Sequence, residues 1–427
     1  MDRARILALA LLAICPAILP AQRPARRAAA PPPAGFAADR LARIDRVMQQ
    51  YVDSGQIAGA VALVLRDGRV TYQRAVGWSD IDSHRRMTMN TLFRIASQTK
   101  ALTTVAILSL MEEGKLSVND PVSRYIPAFA HTTVATRSDT GRVITPASRQ
   151  ITIRDLLTHT AGISYGTDSL VAPLYSTKGL GPAAGWGWYT ADKDEPICTT
   201  IERLATVPFV AQPGQRWVYG YNTDILGCVA ERASGMPLDE LIRTRITGPL
   251  KMHDTFFFVP ASAASRLATV YASDSTNHVY RAPDGPRGQG NYVTGPRKSF
   301  AGGAGLVSTA PDYARLLQML LNGGELDGVR ILAPHTVDLM THNQSGVLFD
   351  TTGANGFGFG FGIVQRYGAN GMASVGTFSW GGAYGSQYAV DPVEHVVMVF
   401  MINQLPNRTD IAGKFPTLVY QALVTRR

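Results

Sequence analysis

Ala101–Met111 is almost wholly apolar, its Ala, Leu, Val, Ile and Met interrupted only by Thr and Ser. A run with no polar stripe predicts a helix buried on every side. Glu112 and Glu113 end it, and Gly114 stands where a helix C-cap glycine belongs. Residues 37–55 behave differently: Leu41, Ile44, Met48 and Tyr51 recur at helical spacing and predict a one-sided helix. Ala58–Leu65, Asp67-Gly68 and Val70–Val76 read as a β-hairpin. Short helices are expected over Ile151–Thr158, opened by Thr152, and over Thr199–Thr206, Thr223–Ala233 and Ala310–Leu321. Phe357, Phe359 and Phe361 alternate with glycines and predict a strand whose Gly face admits a close neighbour. Ala373–Val390 and His395–Ile402 predict a strand pair across Asp391-Pro392, and a last helix spans Thr409–Val424.

Strands thus cluster at both ends of the chain, with helices and loops between them. The economical assembly is an α+β fold, an α/β sandwich: an antiparallel sheet built from both chain ends and flanked by helices. A mostly helical second lobe over roughly 116–300 would be inserted in it, with a site expected between the lobes. Two long irregular stretches remain. Residues 163–197 carry Trp186, Trp188 and Tyr189, which suggest a cleft wall, and 268–300 is expected to loop over the surface. No internal repeat is visible.

Composition narrows the class. The chain has 427 residues, 45% of them hydrophobic and 17% charged, which suits a globular protein. Its net charge is +9, but residues 1–35 hold five Arg and one Asp, and the remainder carries only +5. No nucleic-acid partner is expected from so mild a surplus. Residues 1–21 read as a secretory signal, with Arg3 and Arg5, an apolar run Ile6–Leu19 and cleavage after Ala21. Residues 22–35 read as a Pro/Ala/Arg-rich tether, leaving 36–427 as the folded domain. The expected location is secreted or periplasmic, with no integral membrane span after cleavage. Cys198 and Cys228 could pair there or remain buried thiols.

The chemistry centres on Phe93-Arg94-Ile95-Ala96-Ser97-Gln98-Thr99-Lys100. Ser97 stands at the head of the buried helix, where backbone N–H groups are unpaired, and Lys100 shares its face. A serine hydroxyl needs a neighbouring base to become a nucleophile, and burial in an apolar helix is expected to lower a lysine pKa enough to supply one.

That octapeptide resembles the nucleophile motif of the serine β-lactamase and penicillin-binding superfamily, in its class C-like branch, and the whole is similar to family VIII carboxylesterases. The resemblance runs from about residue 37 to 425. Ile151–Gly162 resembles a second signature, Pro213–Tyr221 the Tyr-x-Asn region, and Gly302–Thr309 a fourth match. Trp380-Gly381-Gly382 stands where the family has Lys-Thr-Gly or His-x-Gly. The resemblance implies Ser97 as nucleophile, Lys100 as its helper and Tyr219 as the catalytic tyrosine. It implies an oxyanion hole of the Ser97 and Ala383 backbone N–H groups, and substrate contacts at Tyr221, Trp380, Gly381 and Gly382. Tyr221 replaces the asparagine of Tyr-x-Asn.

The implied enzyme is an exported serine hydrolase acting on carboxylic esters through a Ser97 acyl-enzyme, with a small-molecule acyl substrate and no cofactor. A β-lactamase, a D-amino-acid peptidase, an acyltransferase or a penicillin-binding sensor without turnover would use the same site. An arginine from 287–297 could replace the cation that Trp380 lacks. Gly162-Ile163-Ser164-Tyr165-Gly166 fits the nucleophile elbow of another hydrolase class, but without a preceding strand it reads as a turn. His159 reads as structural, and no histidine spacing suggests a metal.

Overall fold

The computed structural model describes residues 35–139, 141–181 and 192–425. The expected signal sequence, all of the tether before Gly35, and Trp186, Trp188 and Tyr189 lie outside the described residues.

An antiparallel sheet of eight strands joins the two ends of the chain. The early strands are β1 (Gly59–Arg66), β2 (Arg69–Asp80) and β3 (Arg85–Arg86). The late ones are β4 (Asn355–Phe357), β5 (Gly362–Val364), β6 (Phe378–Gly381), β7 (Gln387–Asp391) and β8 (Val396–Met401). Their order is β4-β5-β6-β7-β8-β1-β2-β3, and β1 pairs with β8 in the register Val61 to Met401. The hairpin between β1 and β2 turns at Asp67 (φ 54°) and Gly68 (φ 73°), the pair of positive φ values a tight two-residue turn demands.

Side chains alternate along β1 and β8 and fill two cores. Ala60, Ala62, Val64, Val396, Met398 and Phe400 meet Leu41, Ile44 and Met48 of the first helix, Ala38–Asp53, and Ile411, Phe415 and Val419 of the last, Ile411–Tyr420. Val61, Leu63, Val397, Val399 and Met401 join a larger core that includes the helix Thr99–Glu112. That helix is buried from Thr99 to Leu110, as its unbroken apolar run requires, and Gly114 (φ 70°) turns the chain after it.

Four expectations change. Phe357–Phe361 is not one strand: β4 stops at Phe357, and Gly358-Phe359-Gly360-Phe361 folds back into β5, with Gly360 at φ 85°. Ala373–Val390 likewise divides into β6 and β7, because Gly382–Ser386 closes a turn in which Gly382 N–H donates to the Ser386 carbonyl at 2.7 Å. The 268–300 stretch does more than cover the surface: it carries a hairpin, Tyr271–Ser273 with Val279–Arg281, and buries Val270, Ala272 and Tyr292. Residues 163–181 include a helix, Ala172–Thr177, and the hairpin Thr133–Ser138 with Gly141–Pro146 was not anticipated. Cys198 and Cys228 form a disulfide between the helices Ile197–Leu204 and Asn222–Ser234.

Candidate active site

Ser97 is presented by a strained turn. Phe93–Arg94 pairs with Val307–Ser308, and Ile95 N–H donates to the Leu306 carbonyl at 3.1 Å. The chain then reverses at Ala96, whose φ of 42° is left-handed, before a 3-10 turn (Ala96–Gln98) leads into the buried helix. Such a conformation costs an alanine about 1–2 kcal/mol, and the strand pairing and helix on either side enforce it.

Three threads stitch the head of this helix to Gly302–Leu306. Thr103 Oγ1 donates to the Gly302 carbonyl at 2.8 Å, and Leu306 N–H donates to Thr99 Oγ1 at 3.1 Å. Lys100 Nζ donates to the Gly303 carbonyl at 2.7 Å, to the Tyr165 hydroxyl at 3.0 Å and to Ser97 Oγ at 3.2 Å. With 1% of its surface exposed, Lys100 was expected to have a lowered pKa. Burial does pull its ammonium down, but Tyr165, Tyr219 and Asp224 outweigh that, and the net shift is upward. Lys100 therefore rests as a buried cation.

Tyr219 covers Lys100, its ring centroid 4.8 Å from Nζ. Its own surroundings are aromatic: Trp217 stacks on it at 5.6 Å and 11°, and the His159 ring lies 4.8 Å away. The Tyr219 oxygen accepts a hydrogen bond from Trp380 Nε1 at 3.1 Å, at the end of β6. Trp380 also meets Phe357 at 5.3 Å and Phe349 at 6.5 Å. After it the strand approaches the Ser97 turn closely, since a Cβ on Gly382 would lie 2.5 Å from the Ile95 carbonyl oxygen. Ala383 packs in the small cluster that contains Ala96. Ser97, Lys100, Tyr219, Trp380, Gly382 and Ala383 are thereby gathered around one turn.

Tyr221 goes elsewhere. It precedes the helix Asn222–Ser234 at its N-cap, is 1% exposed, and meets the Tyr165 ring in a T-shaped contact at 4.7 Å. The neighbouring amide of Asn222 also points inward, donating to His159 Nδ1 at 2.8 Å. Burial, helped by the Lys100 charge, drops the His159 pKa well below the ordinary value, so it serves as a neutral floor beneath Tyr219. Ser164 is buried and its Oγ accepts the Gly166 N–H at 3.1 Å, so it closes a turn. Of the two arginines in 287–297, Arg287 is exposed, and Arg297 donates to the Val293 carbonyl at 3.1 Å and lies over Phe258.

Two groups escaped the sequence reading. Tyr165 sits inside the apparent nucleophile elbow, where nothing in the spacing links it to Lys100. Asp224 is buried on the first turn of the Asn222–Ser234 helix and accepts the Gly303 N–H at 3.0 Å.

A buried serine–lysine pair beneath a tyrosine, at the end of an interior strand of an antiparallel sheet, matches the family whose model covers residues 44–419, beta-lactamase. The chain belongs to the beta-lactamase family. This family member is a serine hydrolase of that group, and its relatives run nearly its full length. "Protein Rv1367c" of Mycobacterium tuberculosis is 36% identical over 382 residues, covering 84% of this chain and 89% of the relative. "Esterase EstB" of Burkholderia gladioli is 33% identical over 384 residues, covering 86% and 91%. Among solved structures, "EstCE1, a hydrolase with promiscuous acyltransferase activity" superposes with a TM-score of 0.74 at 29% identity, covering 91% of this chain and 99% of that one. No helix among the described residues is long and apolar enough to cross a membrane.

Proposed function

We propose that the protein is an exported carboxylic-ester hydrolase that works through an acyl-enzyme on Ser97. Ser97 Oγ attacks the ester carbonyl and gives its proton to the deprotonated Tyr219 oxygen, which the Lys100 ammonium supports. The Ser97 and Ala383 N–H groups hold the oxyanion, Tyr219 protonates the departing alcohol, and water releases the acid in a second pass through the same groups.

The observation that carries the ester reading is Trp380. β-Lactams and peptide C-termini present a carboxylate beside the scissile bond, and a cation with a hydroxyl would meet it through charge-assisted hydrogen bonds of roughly 1.5–3 kcal/mol each. Trp380 has no charge, and its single N–H is already given to Tyr219. Gly381 has no hydroxyl. The rings of Trp217, Phe349 and Phe357 around Trp380 favour apolar groups instead. The names of EstB and EstCE1 agree with esterase chemistry. Export is supported by the signal-like N-terminus and by the Cys198–Cys228 disulfide, which persists in oxidising compartments.

The test compares kcat/KM for short p-nitrophenyl esters, a chromogenic cephalosporin and a D-alanyl anilide. Esters should lead by about tenfold or more after correction for intrinsic reactivity. A cephalosporin turned over equally well would move the protein to the β-lactamases. Ser97→Ala should lose about a thousandfold or more, and Ser164→Ala should stay within severalfold of the parent.

A further inference from the structure

One acid has no place in the scheme of Ser97, Lys100 and Tyr219. Asp224 is 1% exposed, its Oδ1 accepts the Gly303 N–H at 3.0 Å, and its Oδ2 has no partner among the described residues. A buried carboxylate with an unanswered oxygen is destabilising unless a charge compensates it. The other side of the same peptide answers the question of which charge: the Gly303 carbonyl accepts from Lys100 Nζ at 2.7 Å. One peptide unit therefore bridges a buried carboxylate and the buried ammonium beside the nucleophile. Residue 303 must be glycine for this, because a Cβ there would lie 2.4 Å from Asp224 Oδ2.

We propose that Asp224 is a positioning residue for acylation, which through the Gly303 peptide and its own negative charge holds the Lys100 ammonium against Ser97. The proposal rests on Ser97 being the nucleophile. It gives the site the third member that an activated nucleophile generally needs, a group that orients the base and balances the proton it takes.

The electrostatic setting is simple. Lys100 is the charged side chain that faces Asp224, and Lys100 in turn is faced by Tyr165, Tyr219 and the neutral His159. Burial raises the Asp224 carboxyl, Lys100, the Gly303 N–H and the residue's own backbone N–H pull it back, and it stands at about 6. It is a carboxylate at neutral pH and loses its charge as the solution turns mildly acidic.

The experiment follows the rate at which a fluorophosphonate labels Ser97, which reports activation of the serine without deacylation. In the parent protein the rate should fall through an acid limb near pH 6. Asp224→Asn keeps the shape and an acceptor for the Gly303 N–H but removes the charge. It should label about thirtyfold or more slowly at neutral pH, with that limb abolished. Slowing by a constant factor with the limb intact would mean a purely structural role and would overturn the proposal. So would a parent rate that stays flat across the limb, a result that needs no variant to fold. Peptide mapping separates the two readings: label on Ser97 with an unaltered limb removes Asp224 alone, and label on another residue overturns both.

Discussion

The hydrogen bond from Trp380 Nε1 to Tyr219 can be weighed by replacing Trp380 with phenylalanine. The bond is 3.1 Å long and internal to the enzyme, so it exists before substrate arrives. Only its strengthening during the reaction affects kcat/KM. A neutral hydrogen bond contributes about 0.5–1.5 kcal/mol and one to a charged oxygen about 1.5–3. If Tyr219 must become a phenolate before it takes the serine proton, the bond strengthens on the way to the reaction by roughly 1–1.5 kcal/mol, or about tenfold in rate. Trp380→Phe should therefore lower kcat/KM for a neutral ester by about tenfold and leave KM little changed, since an aromatic wall remains beside Phe357 and Phe349. The smaller ring also leaves a void, which should cost about 1–2 kcal/mol of stability and appear in Tm, not in rate per active site. The assay is a double-mutant cycle with Tyr219→Phe, each variant titrated for active sites. Without the Tyr219 oxygen the Trp380 change should cost no more than about twofold. A tenfold loss that persists in the Tyr219→Phe background would refute the coupling and leave Trp380 as a wall of the site alone.

Tyr165→Phe removes one acceptor from Lys100 and should lower kcat/KM by about tenfold, less than the roughly hundredfold expected of Tyr219→Phe; the reverse ranking would exchange their roles. Burial raises the Asp155 carboxyl, but Arg149 and the N–H and hydroxyl of Thr152 outweigh it and hold the pKa below the usual range. A depressed carboxyl stabilises the fold above its unfolded pKa and loses that contribution as pH falls through the folded value, so Asp155→Asn should lower Tm at neutral pH by about 1–2.5 °C and converge with the parent in strong acid. Arg149 is 45% exposed, which keeps the expected loss near 1–2 kcal/mol. Reducing the disulfide, whose cysteines are 30 residues apart, should remove about 3–4 kcal/mol by the loop-entropy estimate, seen as a lower Tm with hydrolase activity at room temperature retained.

The parts of the fold that could be read in advance share one property: their signal is local. The apolar run Ala101–Met111, the stripe Leu41–Ile44–Met48 and the Asp67-Gly68 turn each declare an element without reference to the rest of the chain. The capping box of Thr152 and Asp155 likewise marks the start of Ile153–Leu157. Glycine-rich stretches misled because glycine weakens the distinction between a strand and a turn. Gly360 and Gly385 both take positive φ, and each lies in the turn that follows a strand which alternation alone would have continued. The hairpin Thr133–Ser138 with Gly141–Pro146 has one strand exposed at every position, so no buried face announces it.

The candidate site divides along the same line. Ser97 and Lys100 are neighbours by helical spacing, and the meeting of Trp380 with Tyr219 follows from order along a resembling chain. The charge of Lys100 could not be read that way. An isolated lysine in this helix would be driven toward its neutral form by burial, and that was the expectation. What reverses it comes from three other places: Tyr165 in a turn, Tyr219 ahead of a helix, and Asp224 one turn into it. None is close to Lys100 in sequence, and each reaches it through tertiary packing. The consequence for mechanism is direct. A lysine that rests as an ammonium cannot take the serine proton by itself, so on the proposed reading the acceptor is the deprotonated Tyr219 oxygen that this cation supports. On the proposed reading, removing the cation should therefore disable Tyr219 as well. Lys100→Ala combined with Tyr219→Phe should lose far less than the product of the single losses, and a fully multiplicative pair would show that the two groups act apart.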